Sequence, residues 1–352
     1  MKRRIAVLAV LLVSLLTCFT ACGGGGGENG EVYVYCYGDY FDEEIIAQFE
    51  EETGISVVVD YYDTAEEMYP VVKNNSVEYD AVCTSDYMID KLIQEDLLAP
   101  VDKANIPNLV NIDEKYLAKS LEFDPDNTYS VPYMVGVSGI IYNKSMVGDL
   151  VIDSWEDLWD AKFTDSIVMP DSVREDFMIA LMKNGYSLNT ANPEEIDKAA
   201  ADLKAQKPLV YKYANDSARD LLADGSAAIG VVWNGEYIYT KDLNDEVEFV
   251  VPKEGTEFFI VSWFIPKTAK NKENAEKWID FLCRADVAKT NFDYLYYTTP
   301  NKAAMELIED EYKEMEAVFP SDETLARCQS LRTLDEDTMD LYANAWKQVK
   351  AN

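Results

Sequence analysis

The stretch VYVYCYGDYFDEEIIAQFEEETGISVVVD, residues 32–60, decides the fold class. Its opening, Val32 to Tyr37, is β-branched or aromatic apart from Cys36 and reads as a strand. Glu43 to Glu52 then sets Ile45, Ile46 and Phe49 along one helical face, and Gly54 follows as a residue that readily takes the left-handed turn ending a helix. Ile55 to Asp60 is the next strand. The alternation continues through a helix near Ala65 to Lys73, which Pro70 is expected to kink or break, a strand Ala81 to Thr84 and a helix from Tyr87 to Glu95. Short apolar strands alternating with helices define a doubly wound α/β unit.

From Trp155 the pattern starts afresh: a strand Ile167–Met169, helices over Val173–Asn184, Pro193–Ala205 and Ser217–Ala223, and a strand Ala227–Val232. A chain of 352 residues exceeds the usual single-domain size, so two lobes are expected rather than one. Two long apolar runs, Val131–Tyr142 and Glu257–Ile265, are flanked by Pro and Gly and are candidates for strands crossing between the lobes. Such a pair would act as a hinge, letting the lobes close on a ligand in the cleft. Met339 to Val349 is an amphipathic helix expected to dock on a lobe.

Charge narrows the function. Lys and Arg number 31 against 65 Asp and Glu, a formal net charge of -34, which argues against a nucleic-acid partner because phosphate binding needs clustered cations. The chain has no histidine, so Ser/His and Cys/His catalysis, His-ligated metals and an imidazole switch are excluded. The acidic run Asp335–Asp340 lacks the loop glycine and the terminal glutamate of an EF-hand and reads as helix initiation.

The first residues are an address. Lys2, Arg3 and Arg4 precede an apolar run from Ile5 to Leu16, a cationic segment followed by a hydrophobic one too short to remain as a membrane span. Phe19-Thr20-Ala21-Cys22 and the glycines Gly23 to Gly27 resemble a bacterial lipobox with its tether, which implies cleavage before Cys22 and lipid on that thiol. Plain secretory cleavage is the alternative. Residues 1–21 carry three cations and no acids, so their removal makes the chain more acidic still. An anionic bilayer would repel it, and a lipid must do the anchoring. Gly23 to Gly30 is expected to be a flexible leash of about 15 Å root-mean-square reach.

Cys36, Cys83, Cys283 and Cys328 remain once Cys18 and Cys22 are set aside. They allow three full pairings, and their wide spacing excludes a compact disulfide scaffold. Small apolar filler is the simplest reading.

Several fragments then carry a specific resemblance. Tyr33-Val34-Tyr35-Cys36-Tyr37-Gly38-Asp39-Tyr40 with Phe49-Glu50-Glu51-Glu52-Thr53-Gly54-Ile55, Ser85-Asp86-Tyr87, Arg174-Glu175, Val232-Trp233-Asn234-Gly235, Pro252-Lys253-Glu254-Gly255 and Thr299-Pro300-Asn301 stand in a characteristic order and interval. In this the chain resembles the bacterial spermidine/putrescine-binding proteins of ABC importers. The resemblance covers nearly all of the mature chain. It implies an α/β fold of two doubly wound lobes joined by crossing strands, the type II periplasmic-binding-protein fold. It also implies a monomeric, exported receptor at the periplasmic or outer face of the membrane, with no cofactor and no catalysis, that hands its solute to an ABC permease and ATPase. The expected organisation is a signal peptide at 1–21, the lipidated cysteine and tether at 22–30, lobe 1 over 31–136, lobe 2 over 137–258, a return to lobe 1 over 259–302, and C-terminal helices on lobe 2 over 303–352.

A polyamine is an apolar chain with ammonium groups, so its site needs aromatic walls and carboxylates. The resemblance points to Tyr37, Tyr40, Trp233, Phe259 and Tyr297 as aromatic contacts, although in a chain with 23 tyrosines a core role is the ordinary alternative. It points to Ser85 and Tyr87 as polar contacts, and Ser85 could equally cap the following helix. It gives Asp39 and Glu175 as ammonium partners. Asp39 could instead favour a helix N-terminus, and Ser172-Val173-Arg174-Glu175 has the spacing of a capping box. Two acids of the family pattern are missing: Val261 and Ser172 stand in their places, and the family's glutamine has no clear counterpart near Leu331 and Arg332. Asp39, Asp86 or Asp171 is then expected to substitute, or the ligand is a shorter diamine, another small amine or a neutral solute. A surface-tethered enzyme or signalling lipoprotein is the competing class. Against the enzyme, Gly136-Val137-Ser138-Gly139 has the wrong spacing for a nucleophile elbow.

Overall fold

The computed structural model describes residues 27–38, 40–215 and 217–351. The readings at 1–21, Cys22 and Asp39 lie outside the described residues. Strands β1 (Glu31–Tyr37) and β2 (Ser56–Tyr62) pair in parallel along their whole lengths, with the helix Glu43–Thr53 between them. Asp42 caps that helix by accepting the Glu44 N–H at 2.8 Å, Ile45 and Phe49 are buried beneath it, and Gly54 ends it at φ 68°. The next helix, Ala65–Lys73, runs through Pro70 instead of breaking there. A helix-interior proline costs about 3 kcal/mol, whereas burying Met68 and Val72 contributes about 1.5–3 kcal/mol each and holds the helix on the sheet.

The remaining strands are β3 (Ala81–Ser85), β4 (Leu98–Ala99), β5 (Ser130–Asn143), β6 (Ile167–Met169), β7 (Val210–Tyr213), β8 (Ile229–Trp233), β9 (Val247–Val250) and β10 (Phe258–Pro266). They form the order β2-β1-β3-β10-β5-β8-β6-β7, with β4 against β10 and β9 against β5. The 14-residue β5 belongs to both lobes: Ser130–Val137 pairs with β10, while Ser138–Tyr142 pairs with β8. Buried Asn234 pins this change of partner, accepting the Val137 N–H at 3.0 Å and donating to the Ala317 carbonyl at 2.9 Å.

The second apolar run does not cross. β10 hydrogen-bonds β3 on one edge and the first half of β5 on the other, so both its edges are used within one lobe. The return passes through residues 251–257 instead, and Gln329 lies alongside, donating to the Thr256 carbonyl and accepting the Phe258 N–H, both at 2.9 Å. The helix Glu336–Lys350 packs on Val173–Lys183 and Pro193–Gln206, with Tyr342 edge-on to Phe177 at 5.0 Å. Asp335 initiates it by accepting the Thr338 N–H at 2.8 Å.

Residues 27–30, expected to belong to a leash, are a turn bound to the body. The Asn29 N–H donates to the Gly54 carbonyl at 2.9 Å and the Ser56 N–H to the Gly30 carbonyl at 3.0 Å. Gly27 lies so close that a Cβ there would fall 2.2 Å from the Gly54 oxygen. The four described cysteines are free thiols; Cys36, Cys83 and Cys283 are buried, which pushes their pKa values up. No helix among the described residues is long and apolar enough to cross a membrane.

Candidate ligand site between the lobes

Open α/β sheets bind ligands beyond the carboxyl ends of their parallel strands. Tyr37 ends β1 and Ser85 ends β3, and the two hydroxyls meet at 3.2 Å. Ser85 stands at the N-cap position of the helix Asp86–Gln94, yet its side chain makes no capping bond. Its hydroxyl is directed to the tyrosine instead. The Tyr37 ring also packs against Tyr40 at 4.7 Å and Tyr62 at 4.4 Å between centroids. Burial pushes the Tyr37 hydroxyl up to about 12, opposed by its bonds to Ser85 and Thr84, so it stays neutral at ordinary pH.

Tyr87, the second residue of the same helix, touches the cores of both lobes. Its hydroxyl donates to Glu66 at 3.0 Å, and its carbonyl accepts from Thr333 at 2.9 Å. Trp233 makes the reciprocal crossing, ending β8 in lobe 2 while packing against the Tyr40, Phe259 and Tyr297 side of lobe 1. Phe259 and Tyr297 are edge-on at 6.3 Å, and the Tyr297 ring lies over Gly235, where a Cβ would come within 2.3 Å. The Tyr297 hydroxyl donates to Glu236, which pairs with Arg219 at 2.8 Å.

Glu175 lies in the first turn of the helix Val173–Lys183. Its N–H donates to Ser172 Oγ at 3.5 Å, so Ser172 does the capping. The Glu175 side chain and Trp233 instead line one pocket, where the indole opposes the rise of the Glu175 pKa. Burial raises its pKa well above the usual range, and the charges of Glu257 and Glu66 raise it further. Ser138, Glu175, Asn215, Trp233 and Glu236 line one pocket. A larger apolar pocket behind Tyr297, among Tyr133, Trp263 and Phe292, has no acid in its lining and is unsuited to an ammonium group.

Of the acids expected to substitute for the missing ones, Asp39 lies outside the described residues and neither of the other two is placed to serve. Asp86 is buried and accepts the Tyr87 N–H at 2.8 Å and the Ile260 N–H at 3.3 Å. Asp171 is exposed. Val261, where the family pattern has an acid, is packed in the lobe 1 core. The acid that sequence reasoning missed is Glu257, 5 % exposed and immediately before β10. It accepts from Ser138 Oγ at 3.3 Å, and burial raises its pKa to about 7, with the Ser138 bond and Arg174 opposing. The available signal was its position: a single charge opening an otherwise apolar run.

Two sheets sharing one strand, with aromatic rings and buried acids meeting where they join, define the class of hinged receptors that enclose a small solute. The chain belongs to the bacterial extracellular solute-binding protein family, whose profile matches residues 44–320. It is 36% identical over 325 residues to the spermidine/putrescine-binding periplasmic protein of Salmonella typhimurium, covering 92% of each chain. It is 37% identical over 299 residues to the protein of the same name from Escherichia coli, covering 85% of each. The solved spermidine/putrescine ABC transporter substrate-binding protein of Streptococcus pneumoniae superposes with a TM-score of 0.82 at 35% identity, covering 91% of this chain and 98% of that one. A putative spermidine/putrescine ABC transporter from Listeria monocytogenes gives 0.86 at 34%, covering 91% and 98%.

Proposed function

We propose that this protein captures a polyamine of the putrescine/spermidine class between its lobes and delivers it, chemically unaltered, to an ABC permease and its ATPase. The observation that carries this is the pocket that half-buried Glu175 and Trp233 line together, with the buried acid Glu257 tied to the same wall through Ser138. An ammonium ion would neutralise the carboxylate while the methylene chain lies between Trp233 and the Tyr37–Tyr40 pair. Tyr87, Ser85 and Tyr297 supply hydroxyls around it, Phe259 closes the apolar wall, and Asp39 stays a candidate partner. The lobes are taken as 31–136 and 137–258 with a return over 259–302, a division supported by the change of strand partner between Val137 and Ser138.

The receptor is taken to be a monomer, exported by the N-terminal signal and held by lipid on Cys22. A second reading keeps the receptor class but changes the solute to another small amine or a neutral molecule; Val261 and Ser172, in place of acids of the family pattern, favour it. Calorimetric titration with putrescine, cadaverine, spermidine, spermine, amino acids and short sugars separates the two. Binding of an amine supports the first reading. Binding of a sugar or carboxylate with no amine response sinks it.

A further inference from the structure

Among the buried acids of the described residues, Glu257 is conspicuous for what surrounds it. It is 5 % exposed, its one side-chain hydrogen bond comes from the Ser138 hydroxyl, and no Lys or Arg nitrogen forms an ion pair with it. The groups that act on it or feel its charge come from three neighbouring elements. Ser138 on β5 lowers its pKa, Arg174 and Glu175 lie on the helix Val173–Lys183, and Asp86 and Tyr87 open the helix Asp86–Gln94. Arg174, the single cation of this set, is turned toward Asn189, to which it donates at 3.1 Å. Three acids therefore share the seam with one partly engaged arginine. A buried carboxylate left without a cation is costly to ionise, and a proton or a ligand ammonium relieves the cost.

Resting on the polyamine reading above, we propose that Glu257 is the second ammonium partner of the site and determines its preference for diamines over monoamines. It takes over the task of the acid replaced by Val261, from a position four residues earlier on the same chain segment. Ser138 lines the pocket that Glu175 and Trp233 also line, and its hydroxyl bonds Glu257, so the carboxylate is tied to the wall of that pocket. One ammonium is held at Glu175 and the other at Glu257. Asp86 does not compete for the role, because two backbone N–H groups already occupy its oxygens.

The step involves protons as well as the amine. At neutral pH Glu257 is partly protonated, so a fully charged diamine displaces its proton to solvent on binding.

The test uses the full chain in four forms: unaltered, Glu257→Gln, Glu257→Asp and Glu175→Gln. Each is titrated calorimetrically with putrescine and with n-butylamine, in two buffers of different ionisation enthalpy, to count released protons. The expected result is that Glu257→Gln loses roughly 10- to 100-fold in putrescine affinity and less than about threefold for n-butylamine. The preference for the diamine collapses, and proton release at pH 7 falls by about half a proton. Glu257→Asp, which keeps the charge on a shorter arm, falls between. If Glu257→Gln, shown folded by its unfolding transition, binds putrescine as the unaltered protein does and releases as many protons, the assignment of Glu257 is overturned while the polyamine reading stands. If the unaltered protein binds neither amine, that reading itself is overturned and this inference with it.

Discussion

Two regions hold buried acids in opposite ways. In the turn leading into β5, Asp124 is wholly buried and accepts the N–H groups of Thr128, Tyr129 and Ser130 and the Ser130 hydroxyl, at 2.8 to 3.2 Å. Asp80 does the same on the outer side of lobe 1, tying the Tyr33, Lys270 and Asn271 N–H groups together at 2.8 to 3.0 Å. At the seam, Glu257 accepts one hydroxyl, and half-buried Glu175 shares a pocket wall with Trp233. The first kind of acid is saturated with donors from the chain and fastens the fold. The second kind is underserved, and its unused capacity is what a cationic solute can fill.

The largest effect should therefore come from the fold-holding side. Asp124→Ala leaves several buried N–H groups without an acceptor and should cost about 3–5 kcal/mol in urea unfolding, with amine affinity of the remaining folded protein unchanged. A loss below 1 kcal/mol would blur the distinction between the two kinds of acid.

Glu175→Gln tests the other side. It should weaken putrescine binding by roughly 10- to 100-fold, about 1.5–3 kcal/mol, without destabilising the unliganded protein, since Ser172 supplies the cap. Unchanged affinity would return Glu175 to a helix-end role.

Acidity sharpens the contrast next. The folded pKa of Glu257, about 7, lies above its unfolded value, so the unliganded protein should lose stability as pH rises from the ordinary glutamate range to about 7. Ligand binding runs the other way. The amine needs the ionised carboxylate, so ionisation of Glu257 alone should raise putrescine affinity about tenfold between pH 6 and pH 8, and the raised pKa of Glu175 adds to the rise. A flat profile would mean that no seam acid exchanges its proton for the ligand.

The smallest effect belongs to Ser172→Ala, which should cost about 1 kcal/mol of stability through the lost cap and leave affinity within about twofold. A large affinity loss instead would mean that Ser172, like the acid of the family pattern, meets the ligand.

The alternation of strands and helices was legible because each element shows its period locally: Ile45 and Phe49 mark one helix face, and Gly54 marks its end. The crossing of β5 was legible as one long apolar run. The role of β10 was not, since whether an apolar run spans two lobes depends on which strands pair with its edges. Pro70 misled because propensity is local, while the burial that overrides it is tertiary. At the site, the resemblance brought Tyr37, Ser85, Glu175 and Trp233 into view, but it could not find Glu257, whose burial depends on the distant Gln329 segment and on Ser138.

The most direct measurement is a calorimetric titration of the protein with putrescine and spermidine at pH 8, repeated with Glu175→Gln and with glucose and glutamate as controls. Saturable binding of at least one of the two amines, sharply weakened by the substitution and absent with both controls, is the predicted result. Binding of a control with no response to either amine would contradict the account.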